Sequence, residues 1–320
     1  MSASNRSIVV VLSGGIGGAK LVCGLNRVLP AGDLVVIVNT GDDFEHLGFG
    51  ISPDLDTVMY ALAGLQDSQR GWGRRDETWN FMAALTALGG ETWFALGDRD
   101  LAVHVERTRR LRASESLSAI TADFCRRFSV AARLLPMTDD VVRTRLRTDE
   151  GWLAFQDYFV RRRCAPAVRD VRYEGAATAR PHPEALAVLA NRRLRAVVIC
   201  PSNPLLSIEP IVAVAGLRDA IARCAAPVLA VSPLIGGRAV KGPTAKMMAE
   251  LGLPVSAAAV AERYRDLLDG YVIDDADASY SGKFACPVTV TRTLMRTPDD
   301  QDALARHVLA SADALAKAAA

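Results

Sequence analysis

The sequence lacks the features that would place it in several common classes. None of its six cysteines belongs to a Cys-x-x-Cys pair or has a nearby histidine, so neither a zinc site nor a disulfide framework is indicated. Its 38 basic residues nearly balance its 36 acidic ones, so no overall charge would attract nucleic acid or a membrane surface. The first apolar run, residues 8–12, is far shorter than a signal-peptide core or a membrane span. We expect a cytoplasmic protein that holds any anionic ligand through local groups.

The apolar content is high: half of the 320 residues are apolar, enough for one elaborated domain or two closely packed ones. Residues 8–12, 34–38, 196–200 and 228–231 form continuous apolar runs, as in parallel strands covered by helices on both faces. A helical spacing of apolar residues over 19–28 predicts a right-handed strand–helix–strand unit. The expected fold class is therefore α/β, with a Rossmann-like, mostly parallel sheet flanked by helices.

The middle of the chain has a different pattern. Apolar spacing predicts helices over 56–65, 78–88, 101–112 and 117–127, a short strand over 93–96, and an extended segment over 151–163. We predict that residues 61–189 form a mainly helical inserted cap. The nucleotide-binding core would then comprise residues 1–60 and 190–290, with a C-terminal strand and helix from 291–320 packed on it.

A glycine-rich turn follows the first predicted strand, with the sequence Ser-Gly-Gly-Ile-Gly-Gly-Ala-Lys at residues 13–20. Glycines allow backbone N–H groups to approach a phosphate at the N-terminus of a helix, and Lys20 would add a positive charge. The spacing is not the Walker pattern, which ends in Gly-Lys-Ser or Gly-Lys-Thr. A purely structural tight turn therefore stays open beside the phosphate cradle.

Four aspartates follow the second predicted strand: Asp42, Asp43, Asp54 and Asp56. Ligands of open parallel sheets bind beyond the carboxyl ends of the strands, so these acids and the glycine turn should face one crevice. Mg²⁺ prefers one or two carboxylates together with phosphate oxygens and water, which predicts a magnesium–phosphate site. For Asp54 the alternative is that it caps a helix beginning near residue 56.

Other segments have less specific patterns. The turns at 201–204 and 232–237 could bind a base or ribose, although prolines and glycines are also ordinary turn residues. Loops at 71–79, 96–100 and 155–163 mix aromatic and charged residues, which suits stacking on a planar ring and binding an anionic acid. An exposed basic face is the alternative. For His104, on a predicted helix, a structural role is favoured over that of a general base.

Several short motifs occur in a fixed order along the chain. They are the glycine turn, Asn-Thr-Gly-Asp-Asp at 39–43, Ser-Pro-Asp-Leu-Asp-Thr-Val at 52–58, Gly-Trp-Gly at 71–73, Leu-Gly-Asp-Arg-Asp at 96–100, Leu-Pro-Met-Thr-Asp-Asp at 135–140, Phe-Gln at 155–156 and Pro-Ser-Asn-Pro at 201–204. Taken together, these motifs resemble the 2-phospho-L-lactate transferase family of coenzyme F420 biosynthesis, in the order that family has them. The resemblance covers residues 12 to about 242 and implies an enzyme that moves a phospho-organic acid from its guanosine diphosphate conjugate to the ribityl hydroxyl of the deazaflavin Fo, releasing GMP. Lactate, enolpyruvate and glycerate all stay open as the acid, and a homodimer is expected.

The resemblance also implies roles for individual residues. Asp56 and Asp43 would be catalytic, and Asp43, Asp54 and Asp56 would hold Mg²⁺. Fo would contact Asp56, Ala95, Trp72 and Arg99, with alanine at 95 replacing a lysine expected in some members. The nucleotide would be held by Ser13, Gly14, Gly15, Gly17, Lys20, Ser202, Asn203 and Gly236.

Two other functions stay open from sequence. The glycine turn also resembles that of the gluconeogenesis-factor branch, a nucleotide-sugar-binding regulator, which is not expected to carry the motifs at 71–73 and 155–156. An NAD(P)-dependent oxidoreductase needs an acid at the end of the second strand, and Asp42 and Asp43 satisfy that spacing. Binding of nicotinamide without binding of guanylate would identify the oxidoreductase.

Overall fold

The structure, a computed structural model, describes residues 7–67 and 69–318. Its strands are β1 (Ile8–Ser13), β2 (Leu34–Val38), β3 (Phe44–His46), β4 (Phe49–Ile51), β5 (Arg133–Pro136), β6 (Arg143–Thr148), β7 (Gly151–Ala154), β8 (Val168–Glu174), β9 (Leu194–Ile199), β10 (Val228–Val231), β11 (Leu234–Ile235), β12 (Arg238–Ala239), β13 (Gly270–Ile273) and β14 (Val288–Val290). Its α-helices are α1 (Gly15–Val28), α2 (Pro53–Leu62), α3 (Asn80–Ala87), α4 (Asp98–Arg112), α5 (Leu117–Arg127), α6 (Pro183–Leu189), α7 (Glu209–Ala213), α8 (Leu217–Ala222), α9 (Thr244–Glu250), α10 (Ala257–Glu262) and α11 (Pro298–Ala318).

A seven-stranded parallel sheet forms the centre of the fold, in the order β14-β13-β10-β9-β1-β2-β5. Strand β1 is buried on both faces: Val10 and Leu12 face one core cluster, whereas Val9 and Val11 face the other. Because neither face meets water, the strand needs apolar residues at every position rather than at alternate ones. The predicted α/β class is confirmed.

Helix α1 packs against α2 and α11 on one face of the sheet. Its contact with α11 requires a glycine, because a Cβ at Gly24 would lie 2.2 Å from the carbonyl oxygen of Gln301. Helix α1 begins after the carboxyl end of β1. Because β9, β1 and β2 are adjacent parallel strands, the turns that follow them meet at one edge of the sheet.

Several predicted elements differ from those observed. Helix α2 begins at Pro53 rather than near residue 56, since proline is well suited to the first helical position. Residues 93–96 form a loop before α4, not a strand. Of the segment predicted as extended, only β7 is a strand, and a π-helical turn, Asp157–Arg161, follows it.

The segment 61–189 contributes to the main sheet as well as covering it. Strand β5 pairs with β2 in parallel, and α5 packs against β5. The segment also contains a three-stranded antiparallel sheet, β7-β6-β8. The prediction of a mainly helical cap did not include this sheet. The C-terminal strand, β14, ends at Val290, just before the predicted boundary at 291. The division into core and cap stays a prediction.

Among the described residues, no helix is both long and apolar enough to cross a bilayer.

Candidate functional site

The glycine turn is packed tightly against two other segments. Gly15 has a φ of +65°, a conformation that glycine adopts without strain. A Cβ at Gly14 would lie 2.4 Å from Oδ2 of Asp54, and one at Gly17 would lie 2.5 Å from the carbonyl oxygen of Pro201. Gly14 and Gly17 are therefore needed for close packing, whether or not the turn also binds a phosphate.

Asp54 binds the glycine turn instead of capping its own helix. Its Oδ1 accepts a 2.6 Å hydrogen bond from the N–H of Gly15, and its Oδ2 accepts a 2.9 Å bond from Nδ2 of Asn39. Burial raises the pKa of Asp54 to about 6, against the opposing effect of these two hydrogen bonds. The capping alternative is wrong, because Asp54 lies within α2 and its carboxylate is used elsewhere. The carboxylate of Asp54 thus lies at the N-terminus of α1, a position that favours anions.

Asp42 and Asp43 lie beside Asp54 at the end of β2. Asp43 accepts a 2.8 Å hydrogen bond from Oγ of Ser52 at Oδ2, while its buried Oδ1 has no protein partner among the described residues. Burial raises the pKa of Asp43 to about 7, partly opposed by the charge of Arg143. The pKa of Asp42 is raised well above its ordinary value, first by burial and then by the charges of Asp54 and Asp43. Three buried carboxyls in one place are costly unless a cation or protons compensate them.

This donor set fits Mg²⁺. Carboxylate oxygens are the ligands that Mg²⁺ prefers, and the unpartnered Oδ1 of Asp43 is a free one. Further buried polar atoms without a described protein partner lie at the same sheet edge, following β1, β2 and β9 or packed against that edge. They are Ser13 Oγ, Thr40 Oγ1, Thr144 Oγ1 and Asn203 Nδ2. Buried polar groups normally have partners, so this concentration indicates a ligand site.

Asp56 has a different environment from Asp54, although both lie in the first turn of α2. Both oxygens of Asp56 accept hydrogen bonds from the guanidinium of Arg107 on α4, one of them 3.0 Å long. Asp56 and Arg107 are 5% and 2% exposed. Asp56 is thus a buried, ion-paired carboxylate rather than a free one.

A chain of polar contacts extends from this ion pair. Nη1 of Arg107 lies 3.2 Å from Nδ1 of His104, whose Nε2 lies 3.3 Å from a carboxylate oxygen of Asp100. The other oxygen of Asp100 accepts a 2.6 Å hydrogen bond from Tyr60. Asp56, Asp100 and His104 have the spacing of a metal site, but the guanidinium of Arg107 already supplies a cation there. The structure gives His104 a buried place in this network, in line with its structural interpretation.

A cavity of about 390 Å³ opens beside Phe44, the residue that follows Asp43. The rings of Trp93 and His46 meet edge to face on its wall, with centroids 4.9 Å apart. His46 is 3% exposed, and its Nε2 has no partner among the described residues. The guanidinium of Arg161 lies 5.8 Å from the Trp93 ring, so the wall combines aromatic surface with positive charge. Part of the predicted ring-binding segment 155–163 lines this cavity.

The residues predicted to bind Fo are spread over several places. Ala95 is half-buried in the loop that carries Trp93. Trp72 is 44% exposed, and its neighbour Gly71 lies against Ile16 of α1. Arg99 is exposed at the start of α4, where its N–H donates to Glu77. None of these three residues, nor Asp56, lines the cavity beside Phe44.

Several of the predicted nucleotide-binding residues lie close together. Ser202 donates a 2.7 Å hydrogen bond to the carbonyl oxygen of Gly14, so the turn after β9 lies directly on the glycine turn. Asn203 accepts from the N–H of Leu205 and caps a short helical turn. Lys20 instead donates to the carbonyl oxygen of Met295 at 2.8 Å. Gly236 donates to Asp277. The predicted roles of Lys20 at a phosphate and of Gly236 in binding the nucleotide stay predictions.

Sequence reasoning missed Arg107 and Arg143. Both act on the acids: Arg107 is bonded to Asp56, and Arg143 opposes the rise in the pKa of Asp43. The one sequence signal for Arg107 is its position on the helix that begins within the Leu-Gly-Asp-Arg-Asp motif at 96–100. No local pattern marks Arg143, because β6 carries an arginine at every second position.

The fold and the site define a class: an α/β protein with a glycine-rich turn and clustered acids at the carboxyl edge of a parallel sheet. A family model described as "2-phospho-L-lactate transferase CofD" matches residues 9–297. The chain belongs to this family of transferases.

Curated relatives match nearly the whole chain. It is 40% identical over 319 residues to a phosphoenolpyruvate transferase of Streptomyces coelicolor, covering 97% of this chain and 99% of that protein. It is 38% identical over 304 residues to a 2-phospho-L-lactate transferase of Methanosarcina mazei, covering 94% and 99%. Among solved structures, a upf0052 family protein of Bacillus halodurans matches with a TM-score of 0.60 at 13% identity, over 95% of this chain and 99% of that one. This last likeness concerns the fold alone.

Proposed function

We propose that this protein transfers a phospho-organic acid from its guanosine diphosphate conjugate to the ribityl hydroxyl of Fo, releasing GMP, as a step of coenzyme F420 biosynthesis. Its family membership supports this proposal, as do relatives named phosphoenolpyruvate transferase and 2-phospho-L-lactate transferase. The structural observation that carries it is the contact of the glycine turn with Asp54, directly beside Asp42 and Asp43. A diphosphate and its cation would meet at this place.

The nucleotide would lie along the edge formed by the glycine turn and the turn after β9. Ser13 Oγ and Asn203 Nδ2 are buried there without described protein partners, and both can bond to phosphate or ribose oxygens. Mg²⁺ would be held by Asp43, with Asp42 and Asp54 beside it, and would neutralise charge on the diphosphate. The residues themselves mainly position the reactants, as phosphoryl transfer requires.

The deazaflavin ring would occupy the aromatic cavity next to Phe44. Its volume of about 390 Å³ and its wall of Trp93 and His46 suit a planar ring, and Phe44 directly follows Asp43. The ribityl chain would then extend toward the acids, with Asp56 orienting the terminal hydroxyl. In the reaction, the hydroxyl oxygen forms a bond to the phosphorus that bears the organic acid. The bond from this phosphorus to GMP breaks, and the hydroxyl proton is released.

The proposal is tested by incubating the protein with Fo, MgCl₂ and the guanosine diphosphate conjugates of lactate, enolpyruvate and glycerate, each in a separate reaction. Mass spectrometry should detect one mole of GMP for each mole of Fo adduct, and the adduct mass identifies the acid. A reaction with EDTA in place of MgCl₂ serves as the control for the metal. If no donor gives an adduct, or if the protein binds a nicotinamide dinucleotide and not GDP, the proposal is wrong.

A further inference from the structure

The ion pair between Asp56 and Arg107 joins the first turn of α2 to the middle of α4. Arg107 is 2% exposed, and it donates to both oxygens of Asp56. A bidentate guanidinium fixes the plane of a carboxylate as well as its position. Each carboxylate oxygen keeps a second lone pair, so Asp56 can still accept a hydrogen bond from a ligand at either oxygen.

Arg107 is itself held in place from a second direction. Its Nη1 contacts Nδ1 of His104, and the chain through Asp100 ends at the hydroxyl of Tyr60, which lies one helical turn after Asp56 on α2. The network therefore begins and ends on the same helix, with Arg107 and His104 supplied by α4. These contacts restrain the side chain of Arg107, and with it the rotamer of Asp56, more than the ion pair alone would.

The position of the pair relative to the site makes this restraint relevant to function. Asp56 is two residues from Asp54, which binds the glycine turn. Ser52, the residue just before α2, donates a hydrogen bond to Asp43. A shift of about 1 Å in a group that orients a reactant can reduce turnover on the order of 10²-fold.

We propose that Arg107 is a positioning residue, which acts through Asp56 to aim that carboxylate at the ribityl hydroxyl of the acceptor. This inference depends on the proposed function, since it assigns the acceptor to Asp56. Arg107 does not contact the acceptor. Its effect should therefore appear in turnover, while nucleotide binding at the glycine turn is unchanged.

The test compares Arg107→Met, Arg107→Lys, Asp56→Asn and the double variant Asp56→Asn/Arg107→Met. The matched control is Arg110→Met, which removes another ion-paired arginine from α4, bonded to Glu115 and Asp123. For each variant, kcat, the KM for Fo, GDP affinity by calorimetry and the midpoint of thermal unfolding are measured.

We expect Arg107→Met to lower kcat on the order of 10²-fold with GDP affinity unchanged. Arg107→Lys should recover part of this loss, because lysine keeps the positive charge but cannot donate to both carboxylate oxygens as a planar guanidinium does. The double variant should be no slower than Asp56→Asn within roughly threefold, since both changes remove the same interaction. The double variant leaves no unpaired charge, so it decides the question even if Arg107→Met does not fold. Losses that multiply in the double variant, or an equal loss in Arg110→Met, would overturn the inference. If the wild type and Arg110→Met are both inactive with every donor, it is the proposed function that fails.

Discussion

The N–H of Gly15 and Oδ1 of Asp54 are joined by a hydrogen bond of 2.6 Å, although 39 residues separate them in the chain. This bond holds the start of α1 against the first turn of α2. Oδ2 of the same carboxylate accepts from Asn39 at the end of β2, so one buried side chain links the ends of three elements. The geometry of the whole crevice therefore depends on Asp54.

Replacing this carboxylate should destabilise the fold. Asp54→Ala leaves the N–H of Gly15 without its buried acceptor and removes one of the acceptors of the Asn39 amide, which should lower the free energy of unfolding by about 1–3 kcal/mol. Urea denaturation measures the change. The control Asp299→Ala, at an exposed position in the first turn of α11, should change it by about 0.5 kcal/mol or less. Equal effects of the two substitutions would show that Asp54 does not link these elements.

Adding a methyl group at Gly17 should disturb both the fold and the nucleotide site. A Cβ there would lie 2.5 Å from the carbonyl oxygen of Pro201, a backbone atom that cannot move without the turn after β9. We expect Gly17→Ala to cost about 1–3 kcal/mol in stability and to weaken GDP binding in calorimetry. Gly282→Ala, where no atom lies within 4 Å, is the matched control. Unchanged GDP affinity in Gly17→Ala would place the nucleotide elsewhere.

The stability of the protein in EDTA should depend on pH through Asp43. Burial raises the pKa of this carboxyl to about 7, whereas in the unfolded chain it is about 3.9. Between these values the folded state keeps a proton that the unfolded state has lost. The contribution is therefore complete below about pH 4 and is lost as the pH rises through 7.

We expect the free energy of unfolding of the wild type to fall from pH 5 to pH 8 by at least about 1 kcal/mol relative to Asp43→Asn, measured with urea. Mg²⁺ should restore stability at pH 8 in the wild type more than in this variant, because it binds the ionised carboxylate. Parallel pH profiles for the two proteins would contradict the prediction.

The aromatic cavity should determine affinity for the acceptor. Trp93→Ala removes the ring that His46 meets edge to face, and we expect the KM for Fo to rise on the order of tenfold, since an aromatic contact contributes about 1 kcal/mol beyond buried area. GDP affinity should not change. Trp152→Ala is the control, because Trp152 is 42% exposed on β7 and does not line this cavity. A similar KM in both variants would exclude the cavity as the ring site.

The aspartates show which features of the site the sequence could predict. The order of strand, glycine turn and acids predicted one crevice, because the carboxyl ends of parallel strands meet at one edge. Sequence spacing did not distinguish Asp54 from Asp56. Two helical positions apart, they point in different directions, one to Gly15 and the other to Arg107. Their partners lie 39 and 51 residues away, on elements whose placement no local pattern gives.

The sequence by itself determined the α/β class, because continuous apolar runs are stable only in strands covered on both faces. Its ordered motifs also determined the family. Tertiary structure decided which carboxylates are bonded, which oxygen of Asp43 has no partner within residues 7–67 and 69–318, and that His46 and Trp93 share a cavity. These properties depend on burial and on contacts between residues distant in the chain, and both exist only once the strands and helices have packed.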